Sequence, residues 1–297
     1  MSKLTIMIGA PGSGKDTYIK EHIKDAIILS SDEIRVELYG YEDQTHNAEI
    51  FAEMNRRTKE AGKAGLHVVY NATNLNRGRR VGLCNDMKKY FDKIEVVACI
   101  CPIDIILKRN IERTERHLPE DKLRQMIKSI QLPVPYEYSY DSIIYYPTGK
   151  SDKTEISELE NLYGYEQHNR YHSENLGKHI QRVSDACMSS ENAYLAAKYH
   201  DLGKPFCKSV DEEGYYHFIG HPNVSAYMYI TDLMGYGDSL YKNDLDIMFM
   251  IEVHDYIFSF GMDFDKMKQK MNNKYNGIKE QFWKDLKMLI DADRLRP

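Results

Sequence analysis

Residues 3–17 read KLTIMIGAPGSGKDT, an apolar run followed by Gly9, Gly12, Ser13 and Gly14 closing on Lys15. Glycines at this spacing let successive backbone N–H groups converge on phosphate oxygens without Cβ clashes, and the start of a following helix adds the positive end of its dipole. Lys15 supplies the point charge that reaches the outer phosphates. The candidate nucleotide-binding residues are therefore Gly9, Gly12, Ser13, Gly14, Lys15, Asp16 and Thr17. A Ser or Thr hydroxyl directly after the lysine ordinarily touches Mg²⁺; here Asp16 holds that place and Thr17 follows. A carboxylate is a good Mg²⁺ ligand. Either Asp16 takes the metal, directly or through water, or that task passes to Thr17.

Three further clusters follow in order. Ser31-Asp32-Glu33-Ile34-Arg35 comes directly after a second apolar run. A carboxylate there lies where open α/β sheets bind ligands, so Asp32 could take a proton from an attacking hydroxyl while Arg35 holds a phosphate. The same residues also suit an Asp N-cap with a helix-surface arginine. The segment NATNLNRGRR, residues 71–80, sets polar groups and three arginines after a third run, which suits an anionic ligand or a solvated basic turn. In KRNIER, residues 108–113, Arg109 and Arg113 are four apart and share one face of a helix. Two guanidinium forks on one helix suit a lid over a transferring phosphoryl group.

The second half carries another constellation: His179, the adjacent His200-Asp201, His221, His254 and Asp293. Four imidazoles and two carboxylates offer ligands for one or two ions, and this donor set fits a divalent transition metal or zinc better than Ca²⁺. Asp201 could bridge two ions and hold a hydroxide nucleophile for a phosphoester. Lys204, one helical turn onward, could bind the substrate phosphate. His168, His172 and His217 are expected to pack or support rather than ligate.

The elements that must position these groups alternate in the first half. Strands are expected at Leu4–Ile8, Ala26–Ser30, Leu66–Tyr70 and Lys93–Cys99, with helical periodicity between them and through Asp104–His117 and Glu120–Ile130. That alternation predicts a parallel sheet wrapped by helices. A Pro- and Tyr-bearing stretch leads to a break near Thr148–Ser157. Beyond about residue 172 the pattern is helical, with a hairpin around Glu212–Phe218. The expected domains are residues 1–150 and 151–297, and 297 residues agree with two domains. Residues 1–150 carry 23 Lys and Arg against 21 Asp and Glu, and residues 151–297 carry 17 against 24, so neither half is a generic nucleic-acid coat. No apolar run approaches a membrane span, and the N-terminal stretch is too soon broken by glycine for a signal peptide. Cys84, Cys99, Cys101, Cys187 and Cys207 lack metal-knuckle spacing and read as reduced packing residues in a cytoplasmic protein.

GAPGSGKDT, SSDEIR, NATNLNRGRR and KRNIERTERHLPEDKLRQMIKSI, in that order over roughly residues 1–135, resemble the phage-type polynucleotide kinases of the P-loop class. The resemblance implies an α/β P-loop sheet flanked by helices. It also implies that Lys15 binds the donor phosphates of ATP with Mg²⁺, that Asp32 is general base on a 5′-hydroxyl, and that Arg35 clamps the acceptor's 3′-phosphate. Arg109 and Arg113 would serve phosphate binding and the lid. Asp16 and Asn71 depart from the family pattern, in which the first is Ser and the second is often Asp. The phosphatase signature of the phage enzymes does not occur here.

The HD pair followed by Leu-Gly-Lys, with GHP and VHD downstream, resembles the HD phosphohydrolases in their binuclear form, and residues 164–180 are similar to the HD module of some tRNA nucleotidyltransferases. This implies an all-α HD domain with His179, His200, Asp201, His221, His254 and Asp293 as ligands. Together the two resemblances imply an end-healing enzyme for RNA or DNA. One half would phosphorylate 5′-hydroxyl ends and the other would hydrolyse a 2′- or 2′,3′-cyclic phosphate, leaving ends that suit an RNA ligase. Alternatives are a small-molecule or nucleoside kinase with an HD nucleotidase, or a non-catalytic module that senses nucleotide or binds RNA.

Overall fold

A computed structural model describes the chain apart from residues 41–44, 115–116, 153, 170–173, 236, 238–239 and 296–297, and the side chains of 155–158. His172 lies outside the described residues. The chain divides into two compact units, residues 1–126 with 137–150 and residues 127–136 with 151–297.

Continuous apolar runs make strands covered on both faces. In the first unit β1 (Lys3–Ile8) buries Leu4, Ile6, Met7 and Ile8 completely. It is followed by α1 (Lys15–His22), β2 (Ile27–Ser30), α2 (Ser31–Tyr39), α3 (Asn47–Lys63), β3 (His67–Asn71), α4 (Arg77–Met87), β4 (Lys93–Ile100), α5 (Ile103–Glu112), α6 (Glu120–Lys128) and β5 (Ser142–Pro147). The sheet runs β2-β3-β1-β4-β5 with every pairing parallel. Met7, Val69, Val97 and Cys99 form a core cluster with Tyr18 and Ile19 of α1. β1 sits centrally, with β3 on one side and β4 on the other. The strand order therefore reverses beside it, which is where such sheets open a crevice for ligands.

The four expected strands are present to within one residue at each end. β5 is a fifth, and it lies within the Pro- and Tyr-bearing stretch. It is an edge strand, only half-buried, and its short Ile-Ile-Tyr-Tyr run sits between a tyrosine-rich stretch and Pro147, a context that reads as loop. α5 ends at Glu112, short of the expected His117, and Arg113 is already extended at φ −73°, ψ 121°.

One crossing near residue 150 was expected, but residues 127–136 already belong to the second unit. Ile127, Ile130, Leu132, Val134 and Tyr136 are buried, and the Tyr136 ring lies 6.1 Å from Phe249 and 6.3 Å from Phe282. That buried apolar alternation keeps the segment with the helical unit.

The second unit continues through a 3₁₀ segment (Glu155–Gly164), α7 (Leu176–Ala186), α8 (Glu191–Tyr199), α9 (Lys204–Cys207), β6 (Ser209–Val210), β7 (Tyr216–His217), α10 (His221–Gly235), α11 (Lys242–Val253), α12 (Tyr256–Phe260), α13 (Phe264–Lys274) and α14 (Glu280–Arg294). β6 and β7 pair antiparallel. Leu245 to Val253 are all buried, so α11 is enclosed on every side and forms the centre of this unit. Asn175 and Ser190 cap α7 and α8 by accepting from the N–H groups of Lys178 and Ala193. No helix among the described residues is long and apolar enough to cross a membrane.

Candidate functional site

The loop between β1 and α1 is built on left-handed glycines. Gly12 and Gly14 have φ of 86° and 85°. A Cβ on Gly9 would lie 2.2 Å from Ser13 Oγ, and one on Gly14 would lie 2.9 Å from Thr148 Cβ. The loop is braced from outside. Thr148 Oγ1 donates to the Ser13 carbonyl at 2.6 Å while its N–H donates to Ile100 at 2.8 Å. Arg109 Nη1 donates to the Gly12 carbonyl at 3.0 Å, and its Nη2 to the Thr148 carbonyl at 2.6 Å. Lys15 Nζ donates to the carbonyls of Gly9 and Ala10 at 3.0 and 3.1 Å. Burial holds the Lys15 ammonium below its usual pKa, opposed by the neighbouring Asp16 carboxylate.

Asp32 opens α2 immediately after β2, and Ser30 caps that helix by accepting from the Glu33 N–H. The Asp32 side chain is 46% exposed, whereas that of Arg35 is 3% exposed. Arg35 Nη1 donates to Asp32 Oδ1 at 3.1 Å and Nη2 to Asn47 Oδ1 at 2.8 Å, and Nε is buried without a partner. At the end of β3, Asn71 Nδ2 donates to Asp16 Oδ1 at 2.8 Å. Asp16 and Thr17 are exposed.

Two expectations are corrected here. Arg109 and Arg113 do not share a helical face, because α5 has ended before Arg113. The Arg109 fork is committed to loop carbonyls, while Arg113 is half-buried and its charge still bears on Lys15. Nor are the arginines after β3 a solvent-facing anion site. Arg77 and Arg80 are each 1% exposed and converge on Glu137, with Arg77 Nε 2.7 Å from Oε1 and Arg80 Nη2 3.6 Å from Oε2. Their anion is internal; only Arg79 of the three is exposed.

In the second unit six side chains converge from five helices and their ends. His179 comes from α7, His200 and Asp201 from the end of α8, His221 from the start of α10, His254 from the end of α11 and Asp293 from α14. They form three overlapping groups, His179/His200/Asp201, His200/His254/Asp293 and Asp201/His221/His254, with ligand atoms within 4.8 Å of one another in each. Asp201 lies between them. Its Oδ2 is 3.1 Å from His179 Nε2 and 3.3 Å from His200 Nε2, and its Oδ1 is 3.1 Å from His221 Nε2 and 4.0 Å from His254 Nε2. Asp293 Oδ1 is 3.1 Å from His179 Nε2.

Gly203 permits the approach of this turn to α10, since a Cβ there would meet the His221 carbonyl at 2.6 Å. His200, His221 and His254 each place Nδ1 against a backbone carbonyl three residues earlier, at 2.7, 2.9 and 2.6 Å. A carbonyl only accepts, so these rings carry hydrogen on Nδ1 and direct Nε2 inward, the nitrogen that a metal would take in exchange for any proton it holds. His179 differs, with Arg182 Nη2 3.1 Å from its Nδ1. Burial opposes charge on His200, but the carboxylates of Asp201 and Asp293 override it and push its pKa up to about 10. Burial likewise opposes charge on Asp201, yet His200 and Lys204 hold it well below the usual carboxylate range. Lys204 is 3% exposed, with Nζ 2.7 Å from Asp201 Oδ2 and 2.8 Å from Gln167 Oε1. His217 instead pairs with Asp211 at 2.7 Å on the hairpin.

Residues 4–133 match the AAA_33 family model, described as AAA domain. Over 161 residues the chain is 29% identical to the L-seryl-tRNA(Sec) kinase of Methanococcus maripaludis, a match covering 52% of this chain and 62% of that one. Among solved structures, a chain of the Pnkp1/Rnl/Hen1 RNA repair complex is similar at 22% identity and TM-score 0.37, covering 43% of each chain. A sugar kinase from Janibacter sp. HTCC2649 is similar at 18% identity and TM-score 0.36, covering 50% of this chain and 86% of that one. The first unit is a parallel five-stranded sheet flanked by helices, with a phosphate loop after its central strand.

ATP and Mg²⁺ go with that fold, and the donors present fit a hard ion. One oxygen of the exposed Asp16 carboxylate is taken by Asn71, leaving Oδ2 for a cation, and the exposed Thr17 hydroxyl follows it in sequence. In the first unit the motifs give no sign of Thr148, which reaches the loop from beyond β5. In the helical unit they omit Gln167 and Arg182. Arg182 lies three residues from His179 on α7, a spacing that signals a shared face; Thr148 and Gln167 have no comparable local signal.

Proposed function

We propose that the chain is a bifunctional enzyme that heals broken nucleic-acid ends, a kinase in its first unit and a metal-dependent phosphohydrolase in its second. The observation that carries the kinase assignment is the half-exposed Asp32 carboxylate at the carboxyl end of β2, the same end of the parallel sheet from which the Lys15 loop leaves β1. Asp32 accepts the proton of a 5′-hydroxyl as its oxygen bonds to the γ-phosphorus of ATP, the bond from that phosphorus to the β,γ-bridging oxygen breaks, and ADP leaves. Lys15 and the loop N–H groups hold the donor phosphates, and Arg109 and Thr148 keep the loop in shape. Arg35 and Arg113 are the cations assigned to the acceptor and to the transferring group.

The six-residue His/Asp cluster supports the hydrolase assignment. His179, His200, Asp201, His221, His254 and Asp293 would hold one or two divalent ions, which supply an activated water at neutral pH and positive charge for the phosphate oxygens. Lys204 and Gln167 orient Asp201. A 2′- or 2′,3′-cyclic phosphate is the proposed substrate, because its removal and 5′-phosphorylation together produce ligatable ends.

The relative named as an L-seryl-tRNA(Sec) kinase favours a second reading, in which the acceptor hydroxyl is carried by a charged tRNA. Labelled ATP offered with 5′-hydroxyl RNA and DNA oligonucleotides, nucleoside 3′-monophosphates and seryl-tRNA separates the two. Transfer to oligonucleotides that is lost in Asp32→Ala is expected. Transfer to seryl-tRNA alone selects the second reading, transfer to mononucleotides alone makes the unit a small-molecule kinase, and nucleotide binding without any transfer makes it a sensor.

A further inference from the structure

We propose that this P-loop has exchanged the places of its two metal-handling groups: the carboxylate stands at Asp16, and Asn71 at the end of β3 is its positioning residue. The inference rests on the kinase reading above. In P-loop enzymes generally, a hydroxyl directly after the lysine and a carboxylate from a neighbouring strand end divide the hold on Mg²⁺ between them. Here the loop position carries the carboxylate and the strand end carries an amide, and the two are in contact at 2.8 Å.

A carboxylate only accepts hydrogen bonds, so the amide nitrogen of Asn71 must face it. Asn71 is 9% exposed and fixed in the sheet, with Ser30 opposite in β2. Asp16 is exposed on the first turn of α1 and has no hydrogen bond among the described residues other than that from Asn71. A buried, rigid donor therefore pins Oδ1 of a side chain that would otherwise sample several rotamers, and it leaves Oδ2 unbonded.

The charge count explains why the two substitutions belong together. Aspartate at both positions would set two carboxylates at hydrogen-bonding distance, which repel unless one takes a proton. Neutral groups at both would leave the metal with no anionic protein ligand. Asp16 with Asn71 keeps one negative charge, moved from strand to loop. Asn71 touches no phosphate in this arrangement; it acts through Asp16.

The test is the metal linkage of nucleotide binding, measured on the full chain as the ratio of affinities for a non-hydrolysable ATP analogue with Mn²⁺ and with a chelator. Asn71→Ala should cut that ratio by about tenfold or more while leaving affinity in the chelator unchanged. Asp16→Ser should cut it further, and the double variant Asp16→Ser/Asn71→Asp should restore most of the loss. A wild-type ratio in Asp16→Ser overturns the proposal, as does a double variant no better than Asp16→Ser alone. Binding in the chelator reports that each variant is folded. If the unaltered chain binds no nucleotide in either buffer, the kinase reading fails and takes this inference with it.

Discussion

Asp32 and Arg35 meet at 3.1 Å across one turn of α2, the carboxylate facing solvent and the guanidinium buried beneath it. The pair orients the carboxylate from below while leaving it accessible from above. Asp32→Asn keeps the shape and removes the base. It should lower the transfer rate by about 10²–10⁴-fold with nucleotide affinity unchanged, as read by single-turnover transfer and by calorimetry. Equal losses in both measurements would make Asp32 a structural residue.

Arg109 and Arg113 should separate. Arg109→Ala removes charge-assisted donors from the Gly12 and Thr148 carbonyls, each worth about 1.5–3 kcal/mol. It should lower the unfolding midpoint and weaken nucleotide binding together. Arg113→Ala should leave the midpoint in place and affect only turnover. Denaturant titration beside steady-state kinetics checks both.

The Arg77–Glu137–Arg80 group makes a sharper stability prediction. Removing one partner of a buried ion pair typically costs about 3–5 kcal/mol, so Glu137→Ala should destabilise the chain on that scale in urea. Arg79→Ala, an exposed neighbour, should stay within about 0.5 kcal/mol of the unaltered chain. Loss of nucleic-acid binding in Arg77→Ala without loss of stability would restore the ligand role that the structure has taken from these arginines.

Elemental analysis after reconstitution with Mn²⁺ or Zn²⁺ should find one or two ions per chain. Asp201→Ala should abolish the ions, because this carboxylate lies among all four imidazoles. Phosphoester hydrolysis should fall with it and kinase activity should persist. Full metal retention in Asp201→Ala would remove the cluster as the site.

All five cysteines are free and buried. Burial pushes the thiols of Cys84 and Cys99 up to about 12 and that of Cys187 up to about 11. Native protein near neutral pH should resist alkylation at these three, and mass spectrometry should find them labelled only after denaturation. In the unfolded chain the thiols ionise near their ordinary value of 9.0. The unfolded state therefore holds fewer protons above that pH, and stability should fall as pH climbs past it.

The legible parts of this protein are those whose signals are local. β1 and its loop are one unbroken run of apolar residues and glycines, and the adjacent His200-Asp201 pair points to its own partners. The sheet order, by contrast, includes β5, a half-buried edge strand whose four-residue Ile-Ile-Tyr-Tyr run is hidden among neighbouring tyrosines and prolines. An arginine after a strand end reads the same whether its anion is a ligand or Glu137, sixty residues from Arg77. Arg109 read as a lid residue because helical spacing says which face a side chain shares and not which carbonyls are waiting there. Asn71 and Asp16 each looked irregular alone; only their contact shows that the two irregularities are one.

Thr148 has a practical consequence for anyone dividing this chain. It closes the phosphate loop from a point 135 residues after Ser13, and the chain has left the first unit and come back before reaching it. A fragment ending at residue 133, where the family match stops, would keep every glycine of the motif and lose the latch. Excising the first unit cleanly calls for a bridged deletion, with 126 joined to 137 by a short linker and the terminus placed after 150.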